Sequence, residues 1–213
     1  MKQATSTAIL TLVLVGHWTP QTHAQAPAAV VPVALDTAQA KVYVATLQPH
    51  TPSRSPNGHA TNRVLLYLDP GVMTRQEADV TETINFVRGD VRWRPASGAY
   101  VAENTTDHAV RILEIDLQGP PSGPLPLTPL DAPAVDPKRY TVIFENASVR
   151  VLRVHFEPHD TGLPHQHMLN RVVLYLNDQT GAKRDEVRLS GPATHSERND
   201  GDQPADRIAV ELK

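Results

Sequence analysis

The stretch LPHQHMLNRVVLYL at 163–176 decides the fold, because SPNGHATNRVLLYL at 55–68 repeats its pattern. Each copy has a histidine three residues before an Asn-Arg pair, followed by a run of β-branched, aliphatic and aromatic residues. Such a run is typical of a strand buried inside a sheet. His165 and His167 precede the run in the second copy, whereas Asn57 takes the first of these places in the other copy. The two stretches predict a repeated strand that carries a histidine pair only once.

The repeat extends on both sides of these stretches. VALDTAQAKVYVATLQPH at 33–50 aligns without a gap on VIFENASVRVLRVHFEPH at 142–159. Further along, YVAENTTDHAVRILEIDL at 100–117 aligns on HSERNDGDQPADRIAVEL at 195–212. Three matches in one order predict a duplicated domain.

Each copy has the pattern of strands rather than helices. Apolar and polar residues alternate in VRVLRVHF at 149–156, no segment shows a convincing amphipathic helix, and 19 prolines favour a turn-rich β protein. The sequence predicts an all-β protein of two small antiparallel barrels in tandem. Leu68 and Tyr100 are 32 positions apart, whereas Leu176 and His195 are 19 apart. The second barrel should therefore be shorter by about one hairpin.

The N-terminus has the features of a secretory signal peptide. Lys2 is followed by the apolar run AILTLVLVG at 8–16 and by small residues placed for cleavage after Ala24 or Ala26. The run is too short to span a bilayer, so we expect an exported protein, periplasmic or extracellular. The predicted parts are a signal peptide at 1–24, an N-terminal barrel at 27–118, a proline-rich linker at 119–137 and a C-terminal barrel at 138–213.

Charge and cysteine content exclude several kinds of partner and site. A formal net charge of −3 gives no reason to expect nucleic acid or an anionic membrane as a partner. The chain has no cysteine, which excludes disulfides, thiolate zinc sites and cysteine nucleophiles. A small-molecule ligand is the expected partner, and a homodimer is left open.

Three histidines in the second copy form the strongest candidate site. His165 and His167 are two residues apart, so on a strand their side chains leave the same face, where two neutral imidazoles can share a first-row metal ion. His195 precedes Asn199 by four residues near the end of the same copy. At these residues the chain resembles the cupin superfamily, whose first motif carries H-x-H and whose second carries a single His followed by Asn.

The resemblance covers nearly all of the chain after the signal peptide and implies a bicupin. It implies a jelly-roll (double-stranded β-helix) barrel with a metal or ligand near its axis, and it identifies His165, His167 and His195 as the metal ligands. The first copy reads Asn57, His59, Tyr100 and Asn104 at the corresponding places. The N-terminal barrel should therefore be degenerate.

One departure from the cupin motif leaves three interpretations open. Arg171 and Val172 stand where the motif has its glutamate ligand. If strand parity holds, Arg171 points inward, where its positive charge repels a cation. In the first interpretation, a β-bulge turns Arg171 outward and the three histidines with water hold Zn²⁺, Fe²⁺, Mn²⁺, Ni²⁺ or Cu²⁺. If the protein is an enzyme, the resemblance implies a metal-dependent oxygenase, isomerase or lyase; no catalytic residue can be named.

The other two interpretations need no metal. In the second, Arg171 and its counterpart Arg63 bind a carboxylate, a phosphate or a sugar in a non-catalytic module. Further candidate ligand-binding residues are Asn170, Asn199 and His59. In the third, the two arginines form structural ion pairs with partners such as Glu197 or Glu103.

Overall fold

The structure is a computed structural model that describes residues 33–55, 57–121, 123–126 and 128–213. These residues belong to one compact unit, 31–213. The predicted signal peptide, 1–24, lies outside the described residues. Within the described part, no helix is long and apolar enough to cross a membrane.

The first half forms two antiparallel sheets. A five-stranded sheet has the order β1-β2-β9-β4-β7, and a four-stranded sheet has the order β3-β8-β5-β6. The strands are β1 (Val33–Asp36), β2 (Ala40–Leu47), β3 (Pro52–Ser55), β4 (Arg63–Tyr67), β5 (Gly71–Glu77), β6 (Val80–Phe86), β7 (Val91–Arg94), β8 (Tyr100–Asn104) and β9 (Val110–Leu117).

The second half repeats this plan with fewer strands. Its five-stranded sheet has the order β10-β11-β16-β13-β14, and β12 pairs with β15 in a two-stranded sheet. The elements are α1 (Ala132–Val135), β10 (Tyr140–Glu145), β11 (Val149–Phe156), β12 (His165–His167), β13 (Arg171–Tyr175), β14 (Val187–Ser190), β15 (Ala193–His195) and β16 (Ala205–Leu212). The β5–β6 hairpin has no counterpart in the described second half, which confirms the predicted loss of one hairpin.

The strands β4 and β13 are buried on both faces, which explains the continuous apolar runs RVLLYL and RVVLYL. One face encloses the core of its own half, formed around Tyr67 in the first half and around Phe156 in the second. The opposite faces of the two sheets pack against each other in a shared core that includes Leu66 and Leu174. Each such buried side chain contributes about 1.5–3 kcal/mol relative to an exposed one.

The segment predicted as a linker is not extended throughout. One turn of helix, α1, forms at Ala132–Val135, with Pro133 in its first turn, where a missing N–H costs nothing. The preceding Asp131 binds both terminal nitrogens of Arg150 at 2.8 Å. A single turn of helix is compatible with a proline-rich linker because Pro fits a helix's first turn, and the ion pair of Asp131 with Arg150 fixes the segment against the second half.

Candidate metal centre

The pairing of β12 with β15 brings the three predicted histidines together. His165 lies directly opposite His195 in this antiparallel pair, and His167 follows on the same face as His165. The ring centroid of His195 lies 4.6 Å from that of His165 and 5.5 Å from that of His167. One nitrogen from each ring lies within 4.8 Å of the others. The fold therefore places three imidazoles close enough to contact a single ion.

Hydrogen bonds fix which nitrogen of two rings faces the centre. Nδ1 of His165 lies 2.8 Å from the carbonyl oxygen of Leu163, and Nδ1 of His167 lies 3.0 Å from Oε1 of Glu211. Both partners are acceptors, so each Nδ1 carries the proton and each Nε2 keeps its lone pair. Burial alone would raise the pKa of Glu211, but the hydrogen bonds from His167 and Arg150 outweigh it, so Glu211 is ionised. This is the outer-shell arrangement that orients metal-binding histidines.

The unpaired ring nitrogens fit a metal ion. Nε2 of His165 and Nε2 of His195 are buried and have no hydrogen-bond partner among the described residues. A buried polar atom without a partner is costly and needs an explanation. Burial lowers the pKa of both rings, which favours the neutral form that a metal requires. Three imidazoles form a donor set suited to Zn, Cu, Fe or Ni.

Arg171 points into the barrel, as strand parity predicts, and the β-bulge of the first interpretation does not form. The register of β13 runs without a shift against both β14 and β16, so no bulge reorients the residue. The side chain is buried and its NH1 donates to the carbonyl oxygen of Gly191 at 2.6 Å. Burial lowers the pKa of Arg171. Burial is also the largest cause of the lowered pKa of His195, and the positive charge of Arg171 lowers that pKa further. The guanidinium is therefore held at the wall of the site by a backbone carbonyl.

The structural ion pairs proposed for the two arginines do not form with the predicted partners. Within the described residues, Arg171 makes no ion pair with Glu197 closer than 4.0 Å, and Arg63 faces Glu114 at 3.8 Å rather than Glu103. Glu103 lies on β8 and Glu114 on β9, which belong to different sheets.

Glu197 is a carboxylate beside the three histidines that the sequence interpretation missed as a site residue. Its Oε2 accepts hydrogen bonds from the hydroxyl of Tyr140 at 3.0 Å and from NH1 of Arg207 at 2.9 Å. Its Oε1 lies 3.9 Å from Nε2 of His195. Burial raises the pKa of Glu197, but the charge of Arg207 and the other nearby donors outweigh it, so the carboxylate is ionised. The spacing of two residues from His195 was the signal that could have identified it.

The missing hairpin leaves the metal centre open on one side. In the first half, β8 pairs with β3 on one edge and β5 on the other. In the second half, β15 pairs with β12 alone among the described residues. The His195 side chain on this edge is 30% exposed, whereas His165 and His167 are buried. The edge at His195 is therefore the more exposed side of the three histidines.

The corresponding place in the first half has different chemistry. His59 accepts or donates a hydrogen bond with the Tyr100 hydroxyl at 2.8 Å, and NH2 of Arg63 donates to the same hydroxyl at 3.3 Å. The side chain of Arg63 is 3% exposed, yet its Nε and NH1 have no hydrogen-bond partner among the described residues. Burial raises the pKa of the neighbouring Glu114 and Asp116, which lie with His59 in a second potential metal-binding group.

The predicted asparagines contact protein groups. The Asn199 side chain donates to the carbonyl oxygens of Glu157 and Gln203 and accepts from the amide of Gly201. Asn104 makes the same kind of contact in the first half. Asn170 donates to the side chain of Gln39 at 2.6 Å, at the contact between the halves. These hydrogen bonds connect Asn170 and Asn199 to other protein groups.

Comparisons with known proteins identify the fold. No protein-family model matches the sequence, and no curated protein matches it. A cupin 2 conserved barrel domain protein from Leptotrichia buccalis is 12% identical, covers 89% of this chain and 91% of its own, and has a TM-score of 0.55. A single-residue variant of oxalate decarboxylase from Bacillus subtilis is 11% identical, covers 86% of this chain and 75% of its own, and has a TM-score of 0.57.

A third solved structure is similar over a comparable length. It is HEPD from Streptomyces albus with substrate 2-hydroxyethylphosphonate and Fe(II) bound, which is 9% identical, covers 85% of this chain and 70% of its own, and has a TM-score of 0.60. At these identities the similarity establishes the fold. The chain has the fold of the cupin superfamily, with two antiparallel jelly-roll barrels in tandem.

Proposed function

We propose that the second barrel binds one divalent first-row metal ion through His165, His167 and His195 and uses it to bind or act on a small polar molecule. The observation that carries this proposal is the pair of buried Nε2 atoms on His165 and His195 that lack hydrogen-bond partners within the described residues. The Nδ1 hydrogen bonds of His165 and His167 support it, because they hold the tautomer that metal binding needs.

A bound ion would supply Lewis-acid polarisation of a substrate oxygen or activation of a small oxidant. The protein's own groups would then do three things. The backbone carbonyl of Gly191 holds Arg171 at the wall, where the guanidinium can bind an anionic group of the ligand. Tyr140 packs its ring 4.5 Å from that of His165 and shields the centre. The open edge at His195 admits the ligand.

Fold neighbours support this proposal for a metal site. One is described with Fe(II) and a phosphonate substrate, and another has Mn(II) centres. These properties belong to those proteins. They support a search for Fe and Mn besides Zn, Ni and Cu in this one.

Elemental analysis tests the proposal. The purified protein is incubated separately with Zn²⁺, Fe²⁺, Mn²⁺, Ni²⁺ and Cu²⁺, desalted and analysed, together with His165→Ala, His167→Ala and the control His155→Ala. His155 is partly exposed and pairs with Asp206, away from the centre. We expect one equivalent of metal in the parent protein and the control, and loss of it in the other two variants. Absence of metal in the parent protein after every incubation would contradict the proposal.

A second candidate function is metal-free binding of a small carboxylate, phosphate or sugar. The observation that favours it is the buried Arg63 guanidinium, whose Nε and NH1 have no hydrogen-bond partner among the described residues, although Nε lies 3.8 Å from Oε2 of Glu114. Thermal shift with inorganic phosphate and small carboxylates tests it in the parent protein, Arg63→Ala and Arg171→Ala. A ligand-dependent rise in Tm that is lost in the variants would support this function. Equal shifts in all three proteins would contradict it.

We also propose that the protein is exported by the signal peptide at 1–24. Mass spectrometry of the protein recovered outside the cytoplasm would show cleavage after Ala24 or Ala26. Recovery of an uncleaved chain from the cytoplasm alone would contradict export.

A further inference from the structure

We propose that the first barrel binds a divalent cation of its own through His59, Glu114 and Asp116. This inference goes beyond the proposed function and does not depend on the three histidines of the second barrel. Two carboxylates and one imidazole form a harder donor set than three imidazoles, so the ion expected here is Mn²⁺ or Mg²⁺. Both carboxylates come from β9, outside the positions of the two cupin motifs.

The strand register brings the two carboxylates to one place inside the first half. Glu114 and Asp116 are two residues apart on β9, so their side chains leave the same face. Asp116 lies opposite Arg63 on β4, and Glu114 lies opposite Tyr43 on β2. One ligand atom from each of His59, Glu114 and Asp116 lies within 4.8 Å of the others. Two oxygen ligands of one ion are at most about 4.0–5.2 Å apart, which is twice the bond length for Mg²⁺ to Ca²⁺.

The carboxylate oxygens lack the hydrogen bonds that buried acids need. Oδ1 of Asp116 is buried and has no hydrogen-bond partner among the described residues. Oδ2 of Asp116 and Oε2 of Glu114 both face the hydroxyl of Tyr43, at 3.1 and 3.2 Å. One hydroxyl has one proton, so it donates to only one of the two carboxylates. A buried acceptor without a donor is costly, and a cation bound to these oxygens removes that cost.

The guanidinium of Arg63 provides an independent sign of a ligand at this place. Its side chain is 3% exposed, and its Nε and NH1 have no hydrogen-bond partner within the described residues. Nε lies 3.8 Å from Oε2 of Glu114, so the guanidinium lies beside the carboxylates. An ion with three protein ligands keeps water in its remaining positions, because Mg²⁺ demands about six ligands in octahedral geometry. The oxygen of such a water is the acceptor that the free nitrogens of Arg63 require.

His59 is a neutral ligand. Burial, followed by the charges of Arg63 and Arg75, lowers the pKa of His59 from 6.5 to about 4. The ring is therefore uncharged at neutral pH, as a metal ligand must be. The Tyr100 hydroxyl, which lies 2.8 Å from Nε2, engages only one of the two ring nitrogens.

The balance of charge favours a cation. Arg75 is paired with Glu77, which leaves Arg63 as the cation beside the two ionised carboxylates of β9. Two negative charges against one positive charge leave an excess of negative charge that attracts a divalent ion. Arg63 nevertheless weakens this attraction. Binding should therefore be measured at equilibrium rather than after desalting.

The second half differs at the same two positions. The aligned repeat places Ala209 at the position of Glu114 and Glu211 at the position of Asp116. Ala209 is buried in an apolar core, and each oxygen of Glu211 receives a hydrogen bond. The second half thus has three histidines and no carboxylate without a donor at these positions. The first half has one histidine and two carboxylates, so each half brings three donor groups together.

The test is an equilibrium titration of Mn²⁺, followed by the EPR signal of the free ion, in a background protein that carries His165→Ala and His167→Ala. These substitutions remove two histidines of the second barrel and leave the first barrel intact. We expect the background protein to bind one equivalent of Mn²⁺, and Mg²⁺ to compete for it. Adding Glu114→Gln or Asp116→Asn should weaken binding by about 100-fold or more, beyond the range of about 10–100-fold typical of outer groups. The control is Asp107→Asn, a fully exposed residue of the same half, which should leave the affinity unchanged.

Further variants keep the test decisive if a protein does not fold, which urea unfolding without metal shows. Glu114→Ala replaces Glu114→Gln in that case, because Ala209 occupies the same position in the second half. If the background protein does not fold, the carboxylate variants are titrated in the parent protein. Each of them should then lose one equivalent of Mn²⁺ relative to the parent.

The outcomes separate this inference from the proposed function. If the background protein binds no Mn²⁺ but the parent protein retains a metal through its three histidines, the proposed function stands and this inference is overturned. Unchanged affinity in both carboxylate variants, or an equal loss in Asp107→Asn, overturns it as well. If the second barrel binds no metal but the background protein binds one equivalent that the carboxylate variants lose, the proposed function fails and this inference stands.

Discussion

Replacing Glu211 by glutamine tests how the fold controls the protonation of His167, a histidine of the proposed metal centre. The carboxylate is fully buried and receives one hydrogen bond on each oxygen, from Nδ1 of His167 at 3.0 Å and from Nε of Arg150 at 2.5 Å. Glutamine offers these two donors only one acceptor oxygen and one NH₂ group. Either one donor loses its acceptor, or the proton of His167 moves from Nδ1 to Nε2. The second outcome removes the lone pair that faces the metal centre.

The expected loss of metal affinity follows from the hydrogen bond between Glu211 and Nδ1 of His167. Changing a group that orients a metal-binding histidine costs about 10–100-fold in affinity, or about 1.4–2.7 kcal/mol at about 1.36 kcal/mol per tenfold. Arg150 keeps its two hydrogen bonds to Asp131 in the variant, each at 2.8 Å. The fold should therefore lose only about 1–3 kcal/mol, the cost of one poorly satisfied buried polar group.

The assay is a titration of Zn²⁺ in competition with a chelator, with urea unfolding of the apo protein in parallel. Glu145→Gln is the matched control, because Glu145 pairs with Lys213 at the surface of the same half. A dissociation constant for Glu211→Gln within about threefold of the parent value would refute the reasoning. So would an equal loss of affinity in Glu145→Gln.

The remaining predictions concern stability. Leu174→Ala should lower the free energy of unfolding by about 2–5 kcal/mol, because Leu174 is buried between the two sheets. Leu189 is exposed, so Leu189→Ala should change the free energy of unfolding by about 0.5 kcal/mol or less. Urea unfolding measures both values. Gly58→Ala should cost about 1–3 kcal/mol, seen as a lower Tm, because φ is +65° and a Cβ would lie 2.0 Å from the carbonyl oxygen of Ser97. Burial lowers the pKa of His59 from 6.5 to about 4, so the folded state disfavours its protonation. The free energy of unfolding should therefore fall as pH falls from 6.5 to 4. His59→Gln should reduce this dependence of the free energy of unfolding on pH. An equal pH dependence in the parent protein and the variant would contradict the assignment.

The repeat made most of the fold predictable. Two aligned copies, alternating strands and the apolar runs led to two antiparallel barrels and to the loss of one hairpin. The apolar runs were predictable as central strands because residues on both faces must be buried there. The contact between the two five-stranded sheets could not be predicted, since nothing in the sequence indicates that Leu66 and Leu174 lie in one shared core.

The metal centre was predictable in its histidines and not in its charges. The H-x-H motif and one later histidine identified His165, His167 and His195, and the pairing of β12 with β15 brings them together by placing His165 opposite His195. Strand parity predicted that Arg171 points inward, and the β-bulge that the first interpretation required does not form, since the carbonyl oxygen of Gly191 holds the buried guanidinium. Glu197 was missed because the search for a carboxylate was confined to the first motif.

An anomalous difference map of crystals of the metal-loaded protein tests the central claim most directly. Data collected on both sides of the absorption edge of the bound metal should show one strong peak in the second barrel. We predict that this peak lies about 2.0–2.3 Å from Nε2 of His165, His167 and His195. A map with no peak at the three rings, or with the metal bound only elsewhere on the protein, would contradict the account.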